Sequence, residues 1–153
     1  MRNKRTLLIE QLEQKLKPFS QARMVLIPER GWINTIRTTL NMTMAQLGKK
    51  LNITRQGVKR IEESEANGTI TINSLKNVAN AMDLKLVYAL IPKDGTIDDL
   101  IETRAEKLAQ KIVLRTNQNM KLENQGIGDN KLSKTIKELA IEIKRELRKS
   151  LWD

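Results

Sequence analysis

Apolar residues recur along this chain mostly at intervals of three and four, the spacing that gathers side chains on one face of a helix. Leu8, Leu12 and Leu16 do so ahead of Pro18, which predicts an amphipathic helix over roughly Lys4 to Lys17. Pro18 to Pro28 reads as a connector, with Phe19, Met24, Val25 and Leu26 expected to pack on the core. A second helix is predicted over Gly31 to Leu40, with Trp32, Ile33, Ile36 and Leu40 as its apolar stripe. Trp32, a lone aromatic at a helix start, is expected to be a core or staple residue.

Between Met44 and Asn67 the pattern carries more information. Leu47 and Leu51 share a face, Asn52-Ile53-Thr54 make a tight turn, and Val58 and Ile61 then point inward on a further helix. Asn52 tolerates a left-handed backbone, Thr54 can cap the following helix, and Gly48 suits a close crossing of two helices. This is the spacing of a helix-turn-helix. Asn67-Gly68 ends its second helix, and Thr71 or Asn73 caps another whose Leu75, Val78, Ala79 and Met82 face inward.

The period then changes. Leu84, Leu86, Tyr88 and Leu90 alternate with Lys85, Val87, Ala89 and Ile91, a strand-like pattern that must find a pairing partner within the chain or across a dimer. A long helix is predicted from Thr96 to about Met120, with Ile97, Leu100, Ile101, Leu108, Ile112 and Val113 inward. After a loop over Asn124 to Asn130, a last helix sets Leu132, Ile136, Leu139, Ile143 and Leu147 in an amphipathic seam. That seam suits either internal packing or a partner surface. The expected architecture is mainly α: a helix-turn-helix bundle with one short strand and a C-terminal helical extension. Its segments are residues 1–28 (helix and connector), 29–92 (DNA-binding domain with trailing strand) and 93–153 (partner or dimer contacts).

Charge adds a partner to this picture. The 28 Lys and Arg against 18 Asp and Glu give a net charge of +10, which makes a polyanion the first partner to consider. Between Glu29 and Arg60 the bases are Arg30, Arg37, Lys49, Lys50, Arg55, Lys59 and Arg60, against Glu29 alone. From Ile61 to Leu100 acids dominate, among them Glu62, Glu63, Glu65, Asp98 and Asp99. The basic block coincides with the helix-turn-helix, where phosphate contacts would release counterions from double-stranded DNA.

With no cysteine and no histidine, disulfides, thiolate nucleophiles, zinc fingers and imidazole bases are all excluded. No glycine-rich phosphate loop is present. The one acidic cluster, Asp94, Asp98 and Asp99, reads as a helix start favoured by its dipole and not as a metal-holding nuclease site. No enzyme activity, cofactor or metal is expected. Leu7-Leu8-Ile9 is too short for a signal peptide and no stretch approaches a membrane span, so a cytoplasmic location is expected.

Residues 44–90 resemble the lambda-repressor-like, xenobiotic-response-element class of helix-turn-helix regulators. A wider set is more particular: Pro28-Glu29-Arg30-Gly31-Trp32-Ile33, Ile36-Arg37, Leu40-Asn41-Met42-Thr43 and the later RTNQNMKLENQ. These resemble the bacterial mobile mystery protein A family over roughly residues 5 to 150. The resemblance implies a DNA-binding, antitoxin-like autoregulator, typically encoded beside a Fic-domain protein; as a helix-turn-helix repressor it is expected to act as a homodimer on a palindromic operator. Carried onto this sequence, it makes Arg55 and Gln56 base readers, with Arg60 a turn further on, and Thr43, Thr54 and Lys59 phosphate contacts. Met44 stands where relatives often have glutamine, and Gly57 where serine is common.

The resemblance also suggests an alternative role, capping a Fic adenylyltransferase through the C-terminal helices with DNA binding secondary. Fic inhibitory helices carry Ser or Thr, three residues, Glu, then Gly or Asn. Here Glu123-Asn124 fit the end of that motif, while Asn119 occupies the Ser/Thr position.

Overall fold

The computed structural model describes residues 4–122 and 128–153. They form two compact units. One is Met24–Ala89; the other joins the chain up to Arg23 with Leu90–Asp153.

In the Met24–Ala89 unit, α2 (Trp32–Thr39), α3 (Met44–Leu51), α4 (Arg55–Ala66) and α5 (Ile72–Ala81) surround one apolar core. Ile33, Leu47, Val58, Val78 and Met82 are its buried members. Each helix after α2 begins on a threonine. Thr43 accepts from the Gln46 amide and Gln46 returns the bond to the Thr43 amide, a reciprocal capping box; Thr54 and Thr71 accept from Gly57 and Ser74. Between α3 and α4, Asn52 takes the left-handed conformation (φ 57°), as its sequence position predicts. A Cβ on Gly48 would lie 2.7 Å from the Ile53 carbonyl oxygen, so only glycine allows the turn to close there.

The apolar stripe of α2 differs from the expected one. Ile33 is buried, but Trp32 is 42% exposed and Leu40 58% exposed. The buried position one turn after Ile33 is Arg37. Leu40 falls out because Asn41 turns left-handed (φ 55°) and ends the helix beside it. The connector is also corrected. Lys17–Met24 is a 3₁₀ segment, Phe19 is partly buried, and Met24, Val25 and Leu26 are exposed.

No strand forms at 84–92 among the described residues; the segment has no regular secondary structure. Its pattern suits a strand, but a strand exists only when a second one completes its hydrogen bonds. The amides of residues 85–91 have no backbone partner among the described residues.

In the other unit, α1 (Lys4–Leu16), α6 (Ile97–Leu122) and α7 (Asp129–Glu146) assemble with a terminal 3₁₀ turn, Lys149–Trp152. The buried row of α6 is Ile101, Ala105, Ala109, Val113 and Asn117, a spacing of four throughout. Leu100 and Ile112 lie off that row and are 39% exposed, contrary to the sequence pattern, which undervalued the alanines. Small side chains let α7 approach closely, so its seam of Leu132, Ile136, Leu139, Ile143 and Leu147 is taken up largely within the unit, with Ile143 fully buried. Glu13 of α1 accepts from the Asp98 amide at 2.9 Å, and Arg5 donates to the Glu146 and Leu147 carbonyls at the end of α7.

Candidate nucleic-acid interface

The outer face of α4 carries Arg55, Gln56, Lys59 and Arg60, all exposed. Arg55, Gln56 and Arg60 have no side-chain partner among the described residues, while Lys59 stands 4.0 Å from Glu63 one turn on. At the start of α4 the Thr54 hydroxyl accepts from Gly57 at 3.0 Å, keeping its own proton available to an acceptor. The uncapped amides of a helix N-terminus add partial positive charge where Arg55 and Gln56 project. Guanidinium and carboxamide at this position match the edges of guanine and adenine in a major groove.

Thr43, at the start of α3, is exposed and held in its capping box. Gln46 is the residue that sequence reasoning overlooked. Its Oε1 accepts from the Thr43 amide at 2.8 Å, leaving the carboxamide N–H groups for solvent or a phosphate. The Thr-x-x-Gln capping-box spacing was the available signal. Met44 is partly buried against the core. Gly57 has a reason in packing: a Cβ there would meet the Ile53 side chain at 3.2–3.4 Å.

The inner face of α4 is polar in an unexpected way. Arg37 and Glu62 form a buried ion pair, their side chains only 8% and 6% exposed. The pair is fully engaged: Arg37 Nη2 donates to Glu62 Oε2 at 3.2 Å, Arg37 Nη1 to the Met42 carbonyl at 2.8 Å, and Asn34 Nδ2 to Glu62 Oε2 at 2.9 Å. One turn along, the Glu65 carboxylate accepts the amides of Trp32 and Ile33 at 2.9 and 2.8 Å, capping α2 from α4. So the helix that presents the cations is clamped to α2 by two carboxylates. Arg37 is thereby removed from the solvent-facing basic block, and Glu62 from the acidic run that follows it.

Elsewhere, Asp98 and Asp99 of the acidic cluster have structural partners. Asp99 accepts the Thr96 amide at 2.8 Å, which holds the Asp99 carboxyl below its ordinary pKa, and the Thr96 hydroxyl accepts the Asp99 amide. Asp98 accepts from Lys144 at 2.8 Å, which raises the Lys144 pKa and ties α7 to α6. No group of acidic residues suited to a metal ion occurs among the described residues. Asn119 is exposed on α6, whereas Glu123 and Asn124 lie outside the described residues.

The helix-turn-helix family model matches residues 33–88, from the second residue of α2 to beyond the end of α5. This part of the chain has the lambda-repressor-like helix-turn-helix fold. Comparison with curated proteins and with solved structures gives no match. No helix among the described residues is long and apolar enough to cross a membrane.

Proposed function

We propose that this protein is a sequence-specific transcriptional regulator that reads double-stranded DNA with α4. The observation that carries the reading is the outer face of that helix: Arg55, Gln56 and Arg60 exposed, without a side-chain partner among the described residues, on a helix fixed from behind by Glu62 and Glu65. A rigid backing matters because a bidentate base contact tolerates little misplacement. Arg55 and Gln56 meet base edges, Arg60 lies a turn further along, and Thr43, Thr54 and Lys59 meet phosphates. Selection of genomic fragments by the full chain, followed by titration, tests this. Specific binding is expected to exceed binding to random DNA by at least about a thousandfold at physiological salt. Equal affinity for selected and random fragments would refute base reading.

The finer reading is an antitoxin-like autoregulator, a homodimer whose partner is a Fic-domain protein. Its support is the resemblance carried by Gly31-Trp32-Ile33 and the segment from Arg115 to Gln125. Because the apolar seam of α7 is used inside its own unit, a partner must be met elsewhere, and Ile141 and Trp152 are exposed apolar positions of this unit. Co-expression with the neighbouring gene product, then affinity capture with nuclease and high-salt washes, should retain a stoichiometric complex. Recovery of this chain alone would leave a regulator without that partner.

A further inference from the structure

The segment Leu84–Leu90 combines two needs that its own fold leaves open. Its amides after Leu84 have no hydrogen-bond partner among the described residues, and Val87, Tyr88 and Leu90 are 63%, 64% and 93% exposed. Leu84, Leu86, Tyr88 and Leu90 alternate with Lys85, Val87 and Ala89, and that pattern with an open row of backbone donors and acceptors makes an edge that another strand completes. We propose that a second copy of this chain completes it, by antiparallel pairing of Leu84–Leu90 with the same segment about a two-fold axis through Val87.

The register follows from symmetry and charge. Antiparallel strands side by side are related by a two-fold normal to the sheet, so directly opposed residues must lie on the same face of their strands. The axis therefore passes through a residue position, and Val87 is the centre that uses the whole run. Leu84 then opposes Leu90 of the partner subunit, and Leu86 opposes the partner's Tyr88. On the other face Lys85 opposes the partner's Ala89, and Val87 meets the partner's Val87. The only charge in the segment is thus kept away from its symmetry mate, whereas parallel in-register pairing would set lysine against lysine.

Packing agrees with this arrangement. Leu84, Lys85, Leu86 and Val87 line an apolar groove with Trp32 and Met82. Pairing about Val87 sets the partner's Tyr88 opposite Leu86 and the partner's Leu90 opposite Leu84, beside this groove, where Leu84 and Trp32 are still 39% and 42% exposed. Pro92, which has no amide hydrogen, follows the run and limits it.

This proposal deepens the DNA-reading assignment by supplying a two-fold arrangement of α4, yet its test involves no DNA. The chain has no cysteine, so Val87→Cys in the full-length protein can form a disulfide only with its symmetry mate. Copper-phenanthroline oxidation should convert most of that variant to a species of twice 17.6 kDa on a non-reducing gel. Lys85→Cys should remain single, because positions four residues apart in register are separated by about 14 Å. Sedimentation equilibrium of the unmodified chain should give the dimer mass, and Val87→Lys, which opposes two ammonium groups at the axis, should shift it towards the monomer. A monomeric unmodified chain, or a Lys85→Cys variant that links as readily as Val87→Cys, would overturn the interface. Operator preference by such a monomer would leave base reading standing, whereas a linked dimer without operator preference would keep the interface and remove base reading.

Discussion

Glu62→Ala is expected to destabilise the helix-turn-helix unit by about 3–5 kcal/mol, the usual cost of removing one member of a buried ion pair. The loss does not measure the attraction itself. The Arg37 side chain is 8% exposed and has the Met42 carbonyl as its remaining partner, so its charge would be left uncompensated in the core. Asn34 would lose its acceptor as well. Replacing both partners by apolar residues of similar size, Arg37→Met with Glu62→Leu, should recover most of the loss, because it removes the desolvated charges together. Urea unfolding followed by tryptophan fluorescence measures this unit selectively in a Trp152→Phe background, since Trp32 is then the only tryptophan left. A loss below about 1 kcal/mol would place the pair in the class of solvated surface bridges and contradict the burial.

The same pair shows what a charge count conceals. Both residues look like surface groups when bases and acids are tallied along the chain, yet each occupies an apolar-face position: Arg37 one turn after Ile33, Glu62 one turn after Val58. Opposite charges on the inward stripes of two helices were the legible sign of a buried pair. The helix-turn-helix itself was readable because local chemistry enforces it: threonine caps, a left-handed Asn52, and a glycine where the helices nearly touch. The helical seam of α7 was readable too, being long and regular. Less was visible where structure depends on what a segment meets. Ala105 and Ala109 looked unremarkable until α7 packed on them, Met24 to Leu26 looked like core but found no cover, and the alternation at 84–90 promised a strand that one chain cannot complete. On the proposed reading face, the exposed residues of α4 followed from helical phase alone. Gln46 did not, because its position in a capping box hid a carboxamide with donors to spare.

Arg55→Ala is expected to reduce the preference for operator over random DNA by about 1–3 kcal/mol for each recognition helix engaged, so by about 2–6 kcal/mol for a two-fold dimer. Arg55 sits exposed in the first turn of α4, without a partner among the described residues, where its planar fork can meet two acceptors of a guanine at once. Arg55→Lys should recover part of the affinity through charge but little of the discrimination, since an ammonium cannot form that fork. Lys59→Ala supplies the contrast. As a phosphate contact it should weaken operator and random DNA alike and lower the slope of log affinity against log salt by about 1 per lysine removed. Its proximity to Glu63, 4.0 Å away, already offsets some of its charge, so the effect should be smaller than for an unpaired cation. Binding isotherms across a salt series on both DNAs separate the two roles. If Arg55→Ala lowered both affinities equally and changed the salt slope instead, the arginine would be a phosphate clamp, and specificity would have to reside in Gln56 and Arg60.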